Sequence, residues 1–340
     1  MRRFLSPLRL LTAGLILLVA IAAYMVTQKS NKLLEVPDKA HPLAGLIKVP
    51  GGKRQPDKGG IYYVDVLLQK ASLLQSSFKL FRPDGADLIP QGDFVPSGLT
   101  YAQQLKVDQE TMKVSQQKAA VVALRALGLK FPAREGGVRV AAINSDSKAR
   151  GVLRPDDIVV AADGHKVATA LDLYNALSRH RPGDVVRLGV LRGAKRLDFK
   201  VKTIADSLDP KRPLIGFAPL EVITTRLPVP VRFNLERDVG GPSAGLAFAL
   251  EIMEQRGRNV DRGLRLAATG EIQLDGSVTS IGGVKQKTIG ARRAGVDAFL
   301  VPVDGDNAKV ARRYAHGLRI IPVKNFQQAL RALATLPRKS

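Results

Sequence analysis

The 340 residues carry 53 Lys and Arg against 30 Asp and Glu, a formal charge of +23, with 45% hydrophobic residues, 5% aromatic residues and no cysteine. This size accommodates two or three domains with real cores, and the missing cysteine excludes disulfides, thiol nucleophiles and Cys-based zinc sites while leaving the redox compartment open. The positive excess calls for an anionic neighbour. Few aromatics for base stacking and no nucleic-acid module make a basic surface beside a membrane the expectation, with no nucleic-acid partner.

At the start of the chain Arg2, Arg3 and Arg9 precede LLTAGLILLVAIAAYMV, an apolar run from Leu10 to Val26. Residues 10–27 are read as a single membrane-spanning anchor. The arginines then hold residues 1–9 in the cytoplasm, and the rest of the chain lies outside. The small residues of AIAAY leave a cleaved signal peptide, and so a secreted form, as the alternative. Residues 28–127 are read as a connector: a Lys-, Pro- and Gly-rich juxtamembrane stretch to about residue 60, a strand in GGIYYVDVLLQ, and a long helix from Tyr101 to Leu127 that lacks Gly and Pro.

Four short β-branched runs follow, Val138–Ile143, Ile158–Ala162, Val185–Leu191 and Leu197–Val201, with turns at ADGHK and LRGAK and one helix at about Ala170–His180. This order, and GVLRPDDIVVAADGHKV within it, resembles a PDZ domain of the bacterial type over residues 128–206. The resemblance implies peptide binding by strand addition, with Gly128, Leu129 and Phe131 of LGLKF in the carboxylate nest and Leu171, Tyr174 and Leu177 facing the peptide. A domain that serves only as a spacer is the alternative.

In RDVGGPSAGLAFALEI, Pro242 suits a first helical turn and Ser243 sits at a helix N-terminus, where unpaired N–H groups and the dipole favour negative charge. Ser243 is a helix cap, part of a phosphate cradle or a nucleophile; for a nucleophile, Gly240, Gly241 and the Ser243 N–H would form the oxyanion site. A nucleophile needs a base. Four histidines are scattered at 41, 165, 180 and 316, and no HExxH motif is present, so no metal or cofactor is expected. In GGVKQKTIGARRAG, helical spacing puts Val284, Thr288, Ala291, Ala294 and Gly295 on one apolar face with Lys287 inside it, and Lys285, Gln286, Arg292 and Arg293 on the polar side. A lysine there either snorkels to water or loses its charge and becomes a base. TGEIQLDGSVTSIGG reads as a hairpin turning at Asp275-Gly276.

GPSAG, TGEI, IGGVKQK and AGVDAFLVP together resemble the proteolytic domain of the Lon family over residues 211–335. The resemblance implies Ser243 as nucleophile, Lys287 as general base, Thr269 as support for the dyad, and a hexameric ring. Gly240 stands where the family commonly has an acidic residue, with Asp238 two positions further upstream. No GxxxxGK[ST] motif occurs, so the expected activity is an ATP-independent serine endopeptidase cutting exposed or unfolded segments outside the cytoplasmic membrane. The fold class is mixed α+β and multi-domain: a transmembrane helix, a PDZ-like β-rich domain and a Lon-type α+β proteolytic domain. Two rivals remain. GPSAG also fits the G-x-S-x-G nucleophile elbow with His316 downstream, and a non-catalytic membrane-tethered PDZ adaptor or chaperone-like binder would need no chemistry.

Overall fold

The computed structural model describes residues 7–52, 59–235 and 240–339; Arg2, Arg3 and Asp238 lie outside the described residues. Helix α1 (Pro7–Thr27) has 21 residues. At 1.5 Å per residue it reaches about 31 Å, enough for the roughly 30 Å hydrocarbon core of a bilayer. None of the apolar span Leu10–Thr27 is buried against the rest of the chain.

The stretch expected as a connector is folded. Strands β1 (Lys29–Pro37), β2 (Gly60–Tyr63), β3 (Val66–Ser72) and β4 (Asp87–Pro90), and the one-turn helix α2 (Leu73–Ser77), occupy this part of the chain. β1 lies between β3 and β4 in an antiparallel sheet, closed on one side by Leu34, Ala71 and Ala86. Lys and Pro flank the short apolar run Leu33-Leu34 and mask it in the sequence. Helix α3 (Tyr101–Ala126) opens on a capping box in which Thr100 and Gln103 satisfy each other's backbone N–H groups. Its second half buries Ala119, Ala120, Ala123 and Leu124 in the largest core.

The central domain contains β5 (Ala133–Ile143), β6 (Ile158–Ala162), helix α4 (Ala170–Leu177), β7 (Val185–Arg192), β8 (Lys195–Lys202) and β9 (Phe217–Thr225). The strands form an antiparallel sheet in the order β8-β7-β6-β5-β9. Alternating Val138, Val140, Val159, Val186 and Leu188 pack with Leu173 and Leu177 of α4. Asp156 occupies a left-handed turn with φ of 69°. This domain runs past residue 206, because β9 completes its edge.

The last domain is built on a parallel sheet. It comprises helix α5 (Gly245–Gln255), β10 (Arg265–Ala268), β11 (Glu271–Ile272), β12 (Val278–Thr279), helix α6 (Val284–Arg293), β13 (Ala298–Pro302), α7 (Asn307–Tyr314), β14 (Arg319–Val323) and α8 (Phe326–Ala334). Strands β2, β10, β13 and β14 run parallel, with His41–Pro42 antiparallel at the edge beside β2. Both faces are covered: α5 and α8 belong to the core on one side, α6 and α7 to the core on the other. The domain thus recruits β2 and α3 from far upstream, and the PDZ-like fold sits between its pieces in sequence. Within EVITTRLPVPVRFNL, Glu221–Thr225 belongs to β9 of the central sheet, and Arg232–Phe233 pairs with Ile47–Lys48. The hairpin β11–β12 turns at Asp275-Gly276, where Gly276 takes a φ of 84° that glycine adopts without strain.

Candidate active site

Ser243 lies in the turn just before α5, whose first residue is Gly245. Three contacts fix this turn. The Ser115 hydroxyl of α3 donates to the Pro242 carbonyl at 2.9 Å, and the Gly270 N–H and Thr269 Oγ1–H donate to the Ser243 carbonyl at 2.8 and 3.0 Å. Lys287, one turn into α6, places its Nζ 2.6 Å from Ser243 Oγ and 3.5 Å from Thr269 Oγ1. Only 4% of Lys287 is exposed, so the side chain does not snorkel. Burial lowers its pKa from 10.5 to about 8, with Asp65 and Glu35 opposing that fall through their charges. The structure thus brings Ser243, Lys287 and Thr269 together.

Ser243 and Lys287 border a cleft of about 670 Å³ whose lining also includes Glu35, Asp65, Asp108, Gly240, Gly241 and Glu271, with Thr269 fully buried behind them. Desolvation raises the pKa of Glu35, Asp65 and Asp108. None of the four histidines borders the cleft. His316 is an exposed turn residue after α7, which removes it as a partner for Ser243 and with it the nucleophile-elbow arrangement. Of the expected oxyanion donors, the Gly241 N–H is already committed to the Asp108 carbonyl at 2.9 Å. The Ser243 N–H has no acceptor among the described residues. Gly240 packs so closely on Asp108 that an added Cβ would lie 2.9 Å from the Asp108 Cβ. An acidic residue from α3 therefore stands beside the place where the sequence has Gly240.

Sequence periodicity assigns one polar side to α6, and the structure departs from that. Gln286 is buried and donates to Asp87 Oδ2 at 2.9 Å, while Lys285 pairs with Asp87 Oδ1 at 2.6 Å. The sheet β3-β1-β4 covers the side that periodicity leaves to solvent. Gly290 permits this approach, since a Cβ there would lie 1.8 Å from the Asp38 carbonyl oxygen. Glu35, Asp65, Asp108 and Ser115 went unrecognised because they come from a strand, an interstrand link and a helix more than 120 residues away in sequence. The only local signal was a carboxylate closing the apolar run IYYVD.

Lys118 of α3 joins the two domains. It is 2% exposed; its Nζ donates to Glu221 Oε2 of β9 and Gln273 Oε1, both at 2.5 Å, and lies 3.7 Å from Glu271 of β11. Glu221 Oε1 in turn accepts the Ala170 N–H at the start of α4.

A second groove, of about 380 Å³, lies between α4 and β9. Its walls include Leu173, Tyr174 and Leu177 of α4 and Ile215, Gly216 and Phe217 at the start of β9. Leu171, expected to face a peptide, does not line it. Gly128, Leu129 and Phe131 lie elsewhere: Gly128 closes α3 with a φ of 89°, and Leu129 and Phe131 pack on the largest core, shared by α3 and the last domain. The edge strand that borders α4 is contributed by β9, beyond the segment that carried the sequence pattern, and the Leu214–Phe217 turn takes the position expected of LGLKF.

Residues 125–203 match the PDZ domain family, and residues 237–335 match the Lon protease (S16) C-terminal proteolytic domain. The Lon protease of Clostridium beijerinckii is 36% identical over 135 residues, 35% of this chain and 17% of that protein. The Lon protease of Buchnera aphidicola is 38% identical over 100 residues, 28% of this chain and 13% of that protein. The matches therefore span less than a fifth of either relative. The PDZ domain of an SdrC-like protein from Listeria monocytogenes is 25% identical, covers 25% of this chain and 87% of that domain, and superposes with a TM-score of 0.23. The matched segments define the class of protein that the chain resembles, a PDZ-linked serine peptidase. Along the chain, these segments are similar first to a PDZ domain and then to the C-terminal proteolytic domain of Lon proteases.

Proposed function

We propose that this chain is a Ser–Lys serine endopeptidase, tethered by α1 and working on the extracytoplasmic side of a membrane. The observation that carries the reading is the buried Lys287 amine 2.6 Å from Ser243 Oγ, with a pKa near 8. At neutral pH a useful fraction of that amine is uncharged and accepts the Ser243 proton, so that Oγ attacks a peptide carbonyl. The Ser243 N–H stabilises the resulting oxyanion. Lys287 then passes its proton to the leaving amine, and water releases the acyl group by the same route. Thr269 holds the Ser243 carbonyl and so the nucleophile's orientation.

These 340 residues carry no GxxxxGK[ST] motif, which supports hydrolysis without ATP. Substrates are then exposed or unfolded segments, presented by the groove between α4 and β9. Assembly into a ring by way of the proteolytic domain belongs to the same proposal.

The test uses the full chain in nanodiscs and an unfolded protein substrate. Cleavage is expected with and without ATP, lost in Ser243→Ala and Lys287→Ala, and retained in His316→Ala. A wild-type chain that cuts no unfolded substrate, while Ser243→Ala keeps full biological activity, would establish the adaptor instead.

A further inference from the structure

Phe78, Leu80 and Phe81 are three large apolar side chains within four residues, and all are exposed, Leu80 by 88%. A folded chain does not leave such a cluster in water without a partner. The cluster is also rigidly built. Helix α2 opens on a capping box between Ser72 and Gln75. Past the helix, Arg82 donates from Nε to the Gln75 carbonyl at 2.8 Å and from Nη2 to the Ser76 carbonyl at 3.3 Å, stapling the loop in place. The Phe78 and Phe81 rings meet edge to face at 6.3 Å. A loop held this firmly with its apolar residues outward is shaped for contact.

Its position identifies the partner. Helix α2 packs against α1, and the Leu73 N–H donates to the Gln28 carbonyl at 2.9 Å, one residue beyond the end of α1. The loop therefore hangs at the foot of the apolar helix, level with its last turn. Exposed Lys29, Lys32, Lys70 and Lys79 lie on the loop or on the strands that lead to it. Apolar wedges among lysines suit the headgroup boundary of an anionic bilayer, where the rings enter the acyl layer and the ammonium groups stay outside.

We propose that the Phe78–Phe81 loop is a second membrane contact, inserted into the outer leaflet of the bilayer that α1 spans. The inference rests on the anchor reading of α1. It has a consequence for substrate choice. Strand β3 runs from the cleft, where Asp65, Val66, Leu67 and Leu68 form a wall, to Ser72 at the loop. At about 3.4 Å per residue, the cleft is held on the order of 20 Å above the lipid. A membrane-anchored substrate then needs at least about six extended residues between the membrane surface and its scissile bond to reach the cleft.

The absence of cysteine permits single-site labelling. Leu80→Cys, Val185→Cys and Leu15→Cys are each labelled with an environment-sensitive dye. The full chain is then placed in phosphatidylcholine/phosphatidylglycerol nanodiscs carrying a lipid spin-labelled near the headgroup. Val185 is a distant residue of the PDZ domain with 56% exposure. The dye at position 80 is expected to lose roughly half of its emission, as a probe at acyl-boundary depth does, while position 185 keeps its brightness. Leu80→Glu/Phe81→Glu is expected to leave hydrolysis of a short soluble peptide unchanged. The same variant should slow cleavage of a reporter whose site lies just beyond about six residues from its own membrane anchor.

If position 15 is quenched but position 80 stays as bright as 185, the loop proposal is overturned and the anchor reading survives. If position 15 is unquenched, both fail. Shielding of position 80 from aqueous quencher that grows with protein concentration, without lipid quenching, would assign the patch to a second copy and also overturn the proposal.

Discussion

Removing the carboxylate nearest in effect to the base should shift the pH dependence of hydrolysis in a direction the site dictates. With the Lys287 pKa near 8, the amine is about 9% neutral at pH 7, half neutral at pH 8 and about 91% neutral at pH 9. Because only the neutral form takes the serine proton, kcat/KM is expected to rise about tenfold per pH unit below 8 and to level off above 9. The lowered pKa favours the neutral amine by about 3 kcal/mol, set by burial and partly offset by Asp65 and then Glu35. Asp65→Asn removes the larger of the two charges that hold the proton on Lys287. The acid limb therefore moves to lower pH, and Glu35→Gln moves it in the same direction by less. A displacement of half a unit would raise the rate at pH 7 about threefold. The assay is kcat/KM on a fluorogenic peptide from pH 5.5 to 10 at constant ionic strength, with circular dichroism to confirm that each variant is folded. A wild-type limb centred near pH 6.5, or one that stays fixed or moves upward in Asp65→Asn, would refute the assignment of Lys287 as the base.

The same burial predicts that Lys287→Met, though inactive, melts a few degrees higher than wild type at pH 7. The folded pKa lies below the unfolded one, so holding the ammonium in the folded state costs its full penalty below pH 8 and none above about 10.5; calorimetry at both limits checks this. Thr269→Val keeps the shape but loses the hydroxyl bond to the Ser243 carbonyl, and kcat should fall about tenfold with little change in KM. Gly290→Ala forces a methyl into the Asp38 carbonyl and should cost about 1–3 kcal/mol in urea denaturation, loosening the sheet β3-β1-β4 from α6. Lys118→Met strands Glu221 and Glu271 without their cation and should cost about 3 kcal/mol, partly recovered when Glu221→Gln is added.

Local information placed α3, the turn at Asp275-Gly276, the apolar helix α1 and the helix that begins just after Ser243, because capping, chain reversal and hydrophobic runs are written within a few residues. Periodicity also put Lys287 among apolar neighbours, and the distance to Ser243 agrees with that reading. What periodicity could not reach was the environment of the lysine. Glu35 enters the cleft on β1 and Asp65 from the link between β2 and β3, about 220 to 250 residues before Lys287, and Asp108 arrives on a helix whose own pattern gives no hint of it. The second covered face of α6 was invisible for the same reason, since Gln286 and Lys285 read as solvent-facing until Asp87 is brought against them. The PDZ groove was misplaced because its edge strand follows the domain's pattern, at Phe217–Thr225, in place of preceding it. Short-range sequence therefore determined that Ser243 stands at a helix entrance and Lys287 on an apolar helix face. Tertiary structure decided how charged their surroundings are, because burial and Coulombic neighbours depend on distance in space, which chain separation does not encode.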